Sequence, residues 1–288
     1  MKNLIFSGVA TALITPFKNG KIDYTALKSI IDFQLKAEIN GIVALGTTGE
    51  ASTLSEYERY KLYEFFIKET DGKLPLILGT GSNDTKECIK RTKKAKELGA
   101  NAALIVTPYY NKGTESGIIY HYKLIANSVD LPIILYNVPS RTGVNLSIHA
   151  ISELAKEENI VAIKEASDSI DRLLELSSLS EKITLYSGND SQVYSTLALG
   201  GKGVISVLSN INPGEVLKIT NSYFNGDFEQ SLKCQKCILE KTRVLFSETN
   251  PAPIKYAMSL LGLCSEELRL PLTPPRESTK ELLRTLFL

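Results

Sequence analysis

Eight short apolar runs recur along this chain, each followed by small or polar residues and then by a segment of helical periodicity. They are Gly8 to Ile14, Gly41 to Leu45, Leu76 to Leu78, Ala102 to Val106, Ile133 to Tyr136, Val161 to Lys164, Thr184 to Tyr186 and Gly203 to Val207. Their starts mostly lie about 20 to 35 residues apart, the length of one strand–helix unit. Runs this continuously apolar suit strands buried on both faces, as in a parallel sheet under helices. The segments between them carry helix punctuation. Asp23 is placed to cap Tyr24 to Lys36, and Ser55 with Glu58 forms a capping-box pattern at Glu56 to Thr70. Gly99 stops Thr85 to Leu98. Ser147 to Ala155, Ile170 to Ser178, Ser191 to Leu199 and Pro213 to Tyr223 continue the alternation. Eight such units predict an α/β fold of the (β/α)8, or TIM-barrel, type. An open doubly wound sheet would show a GxGxxG turn after its first strand, and this chain has Thr15-Pro16-Phe17 there.

Residues 225–288 carry no strand signal. They read as three helices, Asp227 to Phe246, Ala252 to Leu261 and Thr279 to Phe287, forming a C-terminal extension of a catalytic barrel over 1–224. The formal net charge is +1, which gives no field for steering nucleic acid or anionic lipid. The start, Met1 to Phe6, briefly mimics a signal peptide but reads better as part of a buried strand. No apolar run reaches the length of a membrane span. Cys88, Cys234, Cys237 and Cys264 form no disulfide framework, so reduced thiols in a cytoplasmic protein are expected. Cys234 and Cys237 lack the further ligands a zinc site needs and read as helix-face residues.

In a barrel of this type the chemistry sits where the strands end. The polar residues at those positions are Thr47, Thr48 and Glu50, then Thr107 and Tyr110, then Tyr136 and Arg141, then Lys164 and Glu165, then Ser187 to Asp190. Lys164 is the sharpest, because it closes an apolar strand. Burial favours the neutral amine, and a neutral amine attacks a ketone to form an imine that serves as an electron sink. The bland reading is a strand-end lysine that pairs with Glu165. Tyr136 and Tyr110 are either core-filling rings or proton-transfer groups, with Thr47 as an intermediate hydroxyl. The Gly46 to Glu50 turn offers N–H groups and hydroxyls to a carboxylate, and Arg141 offers a guanidinium to a second one. A solvated loop arginine is the alternative for Arg141. His121 and His149 fall in predicted helices and get no role. No metal constellation is visible.

Together, Gly46-Thr47-Thr48-Gly49-Glu50, Thr107-Pro108-Tyr109-Tyr110-Asn111, Leu135 to Gly143, Ile163 to Ser167, Tyr186 to Asp190 and Gly203 to Val207 resemble the dihydrodipicolinate synthase family. That family belongs to the pyruvate-dependent Schiff-base superfamily, and the resemblance runs over nearly the whole chain. It implies a condensation of pyruvate with aspartate semialdehyde on the way to diaminopimelate and lysine, with no cofactor beyond a pyruvate imine on Lys164. It also implies that Tyr136 moves protons near the imine and that Thr47 links it to a Tyr110 supplied by a neighbouring subunit. Thr48, Gly188 and the Ile205 backbone would meet pyruvate, and Arg141 the carboxylate of the semialdehyde. The assembly implied is a homotetramer of two tight dimers. N-acetylneuraminate lyases and sugar-acid aldolases share the lysine and the tyrosine. Arg141, and to a lesser degree Thr47, favour the synthase over them. A non-catalytic keto-acid sensor would have no need of Lys164, Tyr136 and Tyr110 together. Asn83, Glu87 and Tyr109 match the family's allosteric cleft, but Glu56 and Arg59 stand where lysine-inhibited members often carry histidines. Weak or absent lysine feedback is therefore expected.

Overall fold

A computed structural model describes residues 3–288. Its strands are β1 (Gly8–Ala12), β2 (Gly41–Ala44), β3 (Leu76–Gly79), β4 (Ala102–Val106), β5 (Ile133–Asn137), β6 (Ile160–Glu165), β7 (Thr184–Ser187) and β8 (Gly203–Ser206). All eight pair in parallel and in chain order, and β8 returns to β1, which closes the barrel. Every expected barrel strand is present, with no end shifted by more than two residues. Helices cover the outside, as the caps in the sequence require. Asp23 accepts the Ala26 N–H at 2.9 Å, and Ser55 and Glu58 exchange both bonds of the capping box. Gly99 takes the left-handed conformation, φ 99°, that closes Thr85–Leu98.

Two apolar layers result. Ile30, Ile42, Leu62, Leu78, Ile105, Leu135, Ile163 and their neighbours pack between strands and helices. Ala10, Val43, Ile77, Leu104, Ile134, Ala162, Tyr186 and Ile205 fill the barrel interior. The N-terminal end is plugged by Phe6, whose ring stacks on Tyr186 at 4.2 Å while its carbonyl accepts the Tyr186 hydroxyl at 2.7 Å. Contrary to expectation, the run at Leu4 to Phe6 is therefore a plug and not strand, and Met1 and Lys2 lie outside the described residues.

One irregularity positions the chemistry. Between β5 and β6 the register slips by one residue, from Ile133 opposite Ile160 to Ile134 opposite Ala162. Val161 and Ala162 both face the interior, so the strict alternation of a strand is broken there. After the slip Lys164 lies opposite Tyr136 and shares its inward face. Continued alternation from Val161 would have pointed Ile163 inward and Lys164 out.

Two features differ from the sequence reading. A small hairpin, Phe17–Lys18 with Lys21–Ile22, follows β1, and its Asn19-Gly20 turn has φ of 54° and 76°. Asn-Gly is a strong two-residue hairpin signal, so this element was legible and overlooked. The expected helix from Asp227 to Phe246 is two helices, Phe228–Cys237 and Leu239–Leu245, that meet at Ile238. The extension thus holds four helices, the last two being Ala252–Leu260 and Glu277–Phe287. No helix among the described residues is long and apolar enough to cross a membrane.

Candidate active site

At the C-terminal end of the strands a cavity of about 420 Å³ opens, and Thr47, Thr48, Tyr136, Arg141, Lys164 and Gly188 all line it. Four different strands deliver these residues to one place: β2 through the turn that follows it, β5 through Tyr136 and the loop to Arg141, β6 through Lys164, and β7 through Gly188. Residues after β8, among them Val207, complete the strand-borne wall.

Lys164 is 6% exposed, and its Nζ lies 4.3 Å from the centre of the Tyr136 ring. Among the described residues no hydrogen bond or ion pair holds its ammonium. The bland pairing with Glu165 does not occur. Glu165 faces outward, where Asn137 Nδ2 donates to both its oxygens at 3.0 Å and Arg172 Nε lies at 3.4 Å. Gly188 is needed beside the lysine strand, because a Cβ there would come within 2.6 Å of Ala166 Cβ and 2.8 Å of the Glu165 carbonyl.

The turn from Leu45 to Glu50 is held in an uncommon shape. Leu45 and Glu50 both have positive φ, 56° and 50°, which costs free energy for side chains of this kind. Two ties fix it. Thr48 Oγ1 accepts from Asn250 Nδ2 at 3.0 Å, and Glu50 forms a wholly buried ion pair with Lys255 at 2.5 Å. Glu50 also accepts the Arg269 backbone N–H at 3.1 Å. The C-terminal extension is therefore part of the site. Asn250, Arg243, Phe246, Leu239 and Thr242 line the cavity, and the Asn250 carbonyl accepts from the Arg141 guanidinium at 3.1 Å. Arg141 itself rides on a short helix, Pro139–Thr142, that Gly143 ends at φ 68°.

Asp190 is a second acidic contribution that sequence reading quoted without giving it a role. It is buried, and its Oδ2 accepts the Val207 and Leu208 N–H groups at 2.9 Å each. Burial pushes its carboxyl above the ordinary range, against the pull of Ser206, these two N–H groups and Lys164. Asn250 was missed for a different reason. It belongs to a segment read only as an appendage, and Asn-Pro at 250–251 looks like any loop.

A second cavity of about 580 Å³ shares Thr47, Tyr136, Val138, Arg141 and Asn250 with the first and extends to Arg59, Arg91 and Tyr109. Of the residues read as an allosteric cleft, Arg59 and Tyr109 line it. Asn83 donates to the Tyr109 carbonyl at 3.2 Å, Glu87 lies 3.7 Å from Arg91, and Glu56 is engaged by Lys90 and the Tyr60 hydroxyl. Tyr110 and Ile205 line neither cavity. Tyr110 is 90% exposed at φ 72°, while Ile205 is fully buried in the barrel interior. Cys234 and Cys237 lie on one helix, and no group of three or more His, Cys, Asp or Glu among the described residues is placed to hold a metal.

The chain is similar to known proteins over nearly its whole length. The 4-hydroxy-tetrahydrodipicolinate synthase of Geotalea uraniireducens is 46% identical over 277 residues, 96% of each chain. The dihydrodipicolinate synthase structure of Thermotoga maritima superposes with a TM-score of 0.96 at 43% identity, covering 98% of both chains. A structure described as the first monomeric variant of dihydrodipicolinate synthase gives the same TM-score and identity, over 98% of this chain and 96% of its own. The model of the dihydrodipicolinate synthetase family matches residues 5–287, and the chain belongs to that family.

Proposed function

We infer that the chain condenses pyruvate with L-aspartate 4-semialdehyde to give 4-hydroxy-tetrahydrodipicolinate, the committed step toward diaminopimelate and lysine, through an imine on Lys164. The observation that carries the residue assignment is the buried, unpaired amine of Lys164 beside Tyr136 in the cavity. A buried lysine held by no hydrogen bond or ion pair is free to reach a ketone carbonyl and form an imine with it. Water leaves, and the iminium draws a proton off the pyruvate methyl. Tyr136 is the group placed to carry that proton and the one released earlier. The resulting enamine carbon attacks the aldehyde. The substrate amine then attacks the imine carbon and displaces Lys164, which regenerates the enzyme. Thr48 and the Ile205 backbone contact pyruvate, with Gly188 lining the same pocket, and Arg141 binds the carboxylate of the semialdehyde. No group beyond the lysine imine is required.

Thr47 lines both cavities, as Tyr136 does, and is the hydroxyl that links Tyr136 to Tyr110 in a proton relay. Tyr110 then acts in trans. A tyrosine that is 90% exposed in a strained backbone conformation serves no purpose within its own barrel, and an incoming copy gives it one. The assembly is a tetramer of two tight dimers in the cytoplasm. Specific activity that falls on dilution supports it, and a fully active monomer contradicts it. Lysine inhibits weakly or not at all, because Glu56 is engaged by Lys90 and Arg59 by the Ala51 carbonyl. Saturating inhibition at sub-millimolar lysine would sink that reading. The activity itself is tested by coupling purified protein, pyruvate and the semialdehyde to a downstream reductase. Turnover is expected. Borohydride trapping of pyruvate without turnover would move the assignment to a sugar-acid aldolase.

A further inference from the structure

The chain has eight arginines. Arg91, Arg172, Arg269, Arg276 and Arg284 each have a carboxylate within 4 Å. The other three, Arg59, Arg141 and Arg243, have none among the described residues. All three line the two cavities at the C-terminal end of the barrel. Arg59 is spent on the Ala51 carbonyl and Arg141 in part on the Asn250 carbonyl. Arg243 makes no hydrogen bond at all within the chain as described.

Its position is informative. Arg243 lies in the last turn of Leu239–Leu245, where a cation favourably meets the helix C-terminus. That accounts for a cation on this helix, but not for its turning toward a cavity that already contains Lys164 and Arg141. Two carboxylates, Asp168 and Asp190, line the same cavity, and neither pairs with it. Asp168 is met by Asn189 Nδ2 at 3.2 Å, and Asp190 is occupied by the backbone after β8. The cavity therefore presents two unneutralised guanidiniums, from the loop after β5 and from the C-terminal extension. Both reacting molecules carry a carboxylate.

We propose that Arg243 is a specificity-determining residue that, together with Arg141, selects an aldehyde carrying a carboxylate. This rests on the proposed reaction, and it assigns the C-terminal extension a direct contact with the second substrate. Pyruvate, held at the Lys164 end, does not depend on it. Because Arg243 is exposed, its replacement leaves the core untouched.

The test compares the parent protein with Arg243→Gln and Arg243→Lys. Replacing the guanidinium by an amide removes one charge-assisted hydrogen bond at a partly exposed site, so the KM for the semialdehyde rises about tenfold. The kcat and the KM for pyruvate stay within about twofold, and the extent of pyruvate trapping by borohydride is unchanged. Arg243→Lys restores part of the loss, because a point charge replaces only some of what a planar fork provides. A semialdehyde KM unchanged in Arg243→Gln overturns the inference, as does an equal loss for pyruvate and semialdehyde. If the parent protein does not turn over this pair at all, the underlying reaction has failed, and that outcome is distinct from both.

Discussion

Among the described residues two lysines lie buried, and they have opposite surroundings. Lys255, in the C-terminal extension, is completely enclosed, with Glu50 at 2.5 Å, the Glu267 carbonyl at 2.8 Å and the Phe17 ring at 4.1 Å from its Nζ. Lys164, at the end of β6, is almost as enclosed, and among the described residues no hydrogen bond or ion pair holds its Nζ, which lies against the Tyr136 ring. Burial lowers the Lys255 pKa on balance, and Glu50, which offsets part of that push, ties the side chain down by a hydrogen bond. The difference shows that burial alone does not make an amine reactive. A paired buried charge is a structural tie, and an unpaired one is a liability kept where chemistry uses it. The tie and the reactive amine are also connected. Glu50 closes the turn that brings Thr47 and Thr48 to the cavity with Lys164.

The contrast breaks most visibly by substitution. Lys164→Ala should lower turnover by at least about a thousandfold, as expected when the group that forms the covalent intermediate is lost. Its unfolding midpoint in denaturant should stay close to the parent's or rise, since no partner is left unpaired. Lys255→Ala should do the reverse. Removing one partner of a buried pair strands the other and costs about 3–5 kcal/mol, read as a fall in the urea midpoint. The fraction that remains folded should still trap pyruvate. Equal stability losses in the two variants would erase the distinction.

A third buried base sharpens it. His121 shares a hydrogen bond of 2.9 Å with Thr85, its Nε2 has no partner, and burial lowers its pKa to about 4. The unfolded chain, with a His pKa near 6.5, takes up a proton that the folded state refuses. The full stability is present above pH 6.5 and falls as the pH drops toward 4, by up to about 3 kcal/mol. His121→Gln should flatten that part of the stability curve and leave the neutral-pH activity intact. An unchanged slope in urea titrations between pH 6.5 and 4 would show that His121 is charged in the fold.

Much of this was legible in the sequence, for reasons that can be named. The barrel strands announce themselves because parallel strands under helices are apolar on both faces, and the helix starts because Asp23 and Ser55 with Glu58 have few other reasons to stand where they do. Lys164 was legible as a strand-end lysine, but its inward direction was not. That depends on a one-residue slip at Val161, which no local pattern marks. The Glu50–Lys255 tie joins residues 205 positions apart, and a lone lysine in an apolar helix does not name its partner. Asn250 and Arg243 were hidden in the same way. They act on a site built by strands far away in the chain, so their meaning exists only after the extension folds over the barrel mouth.

The central claim is that Lys164 is the amine that takes up pyruvate, and peptide mass spectrometry after borohydride reduction tests it most directly. Protein incubated with pyruvate and borohydride should gain a single reduced adduct, located on the peptide containing Lys164 and absent from Lys164→Ala. An adduct on the peptide containing Lys255, or one that persists in Lys164→Ala, would contradict the account.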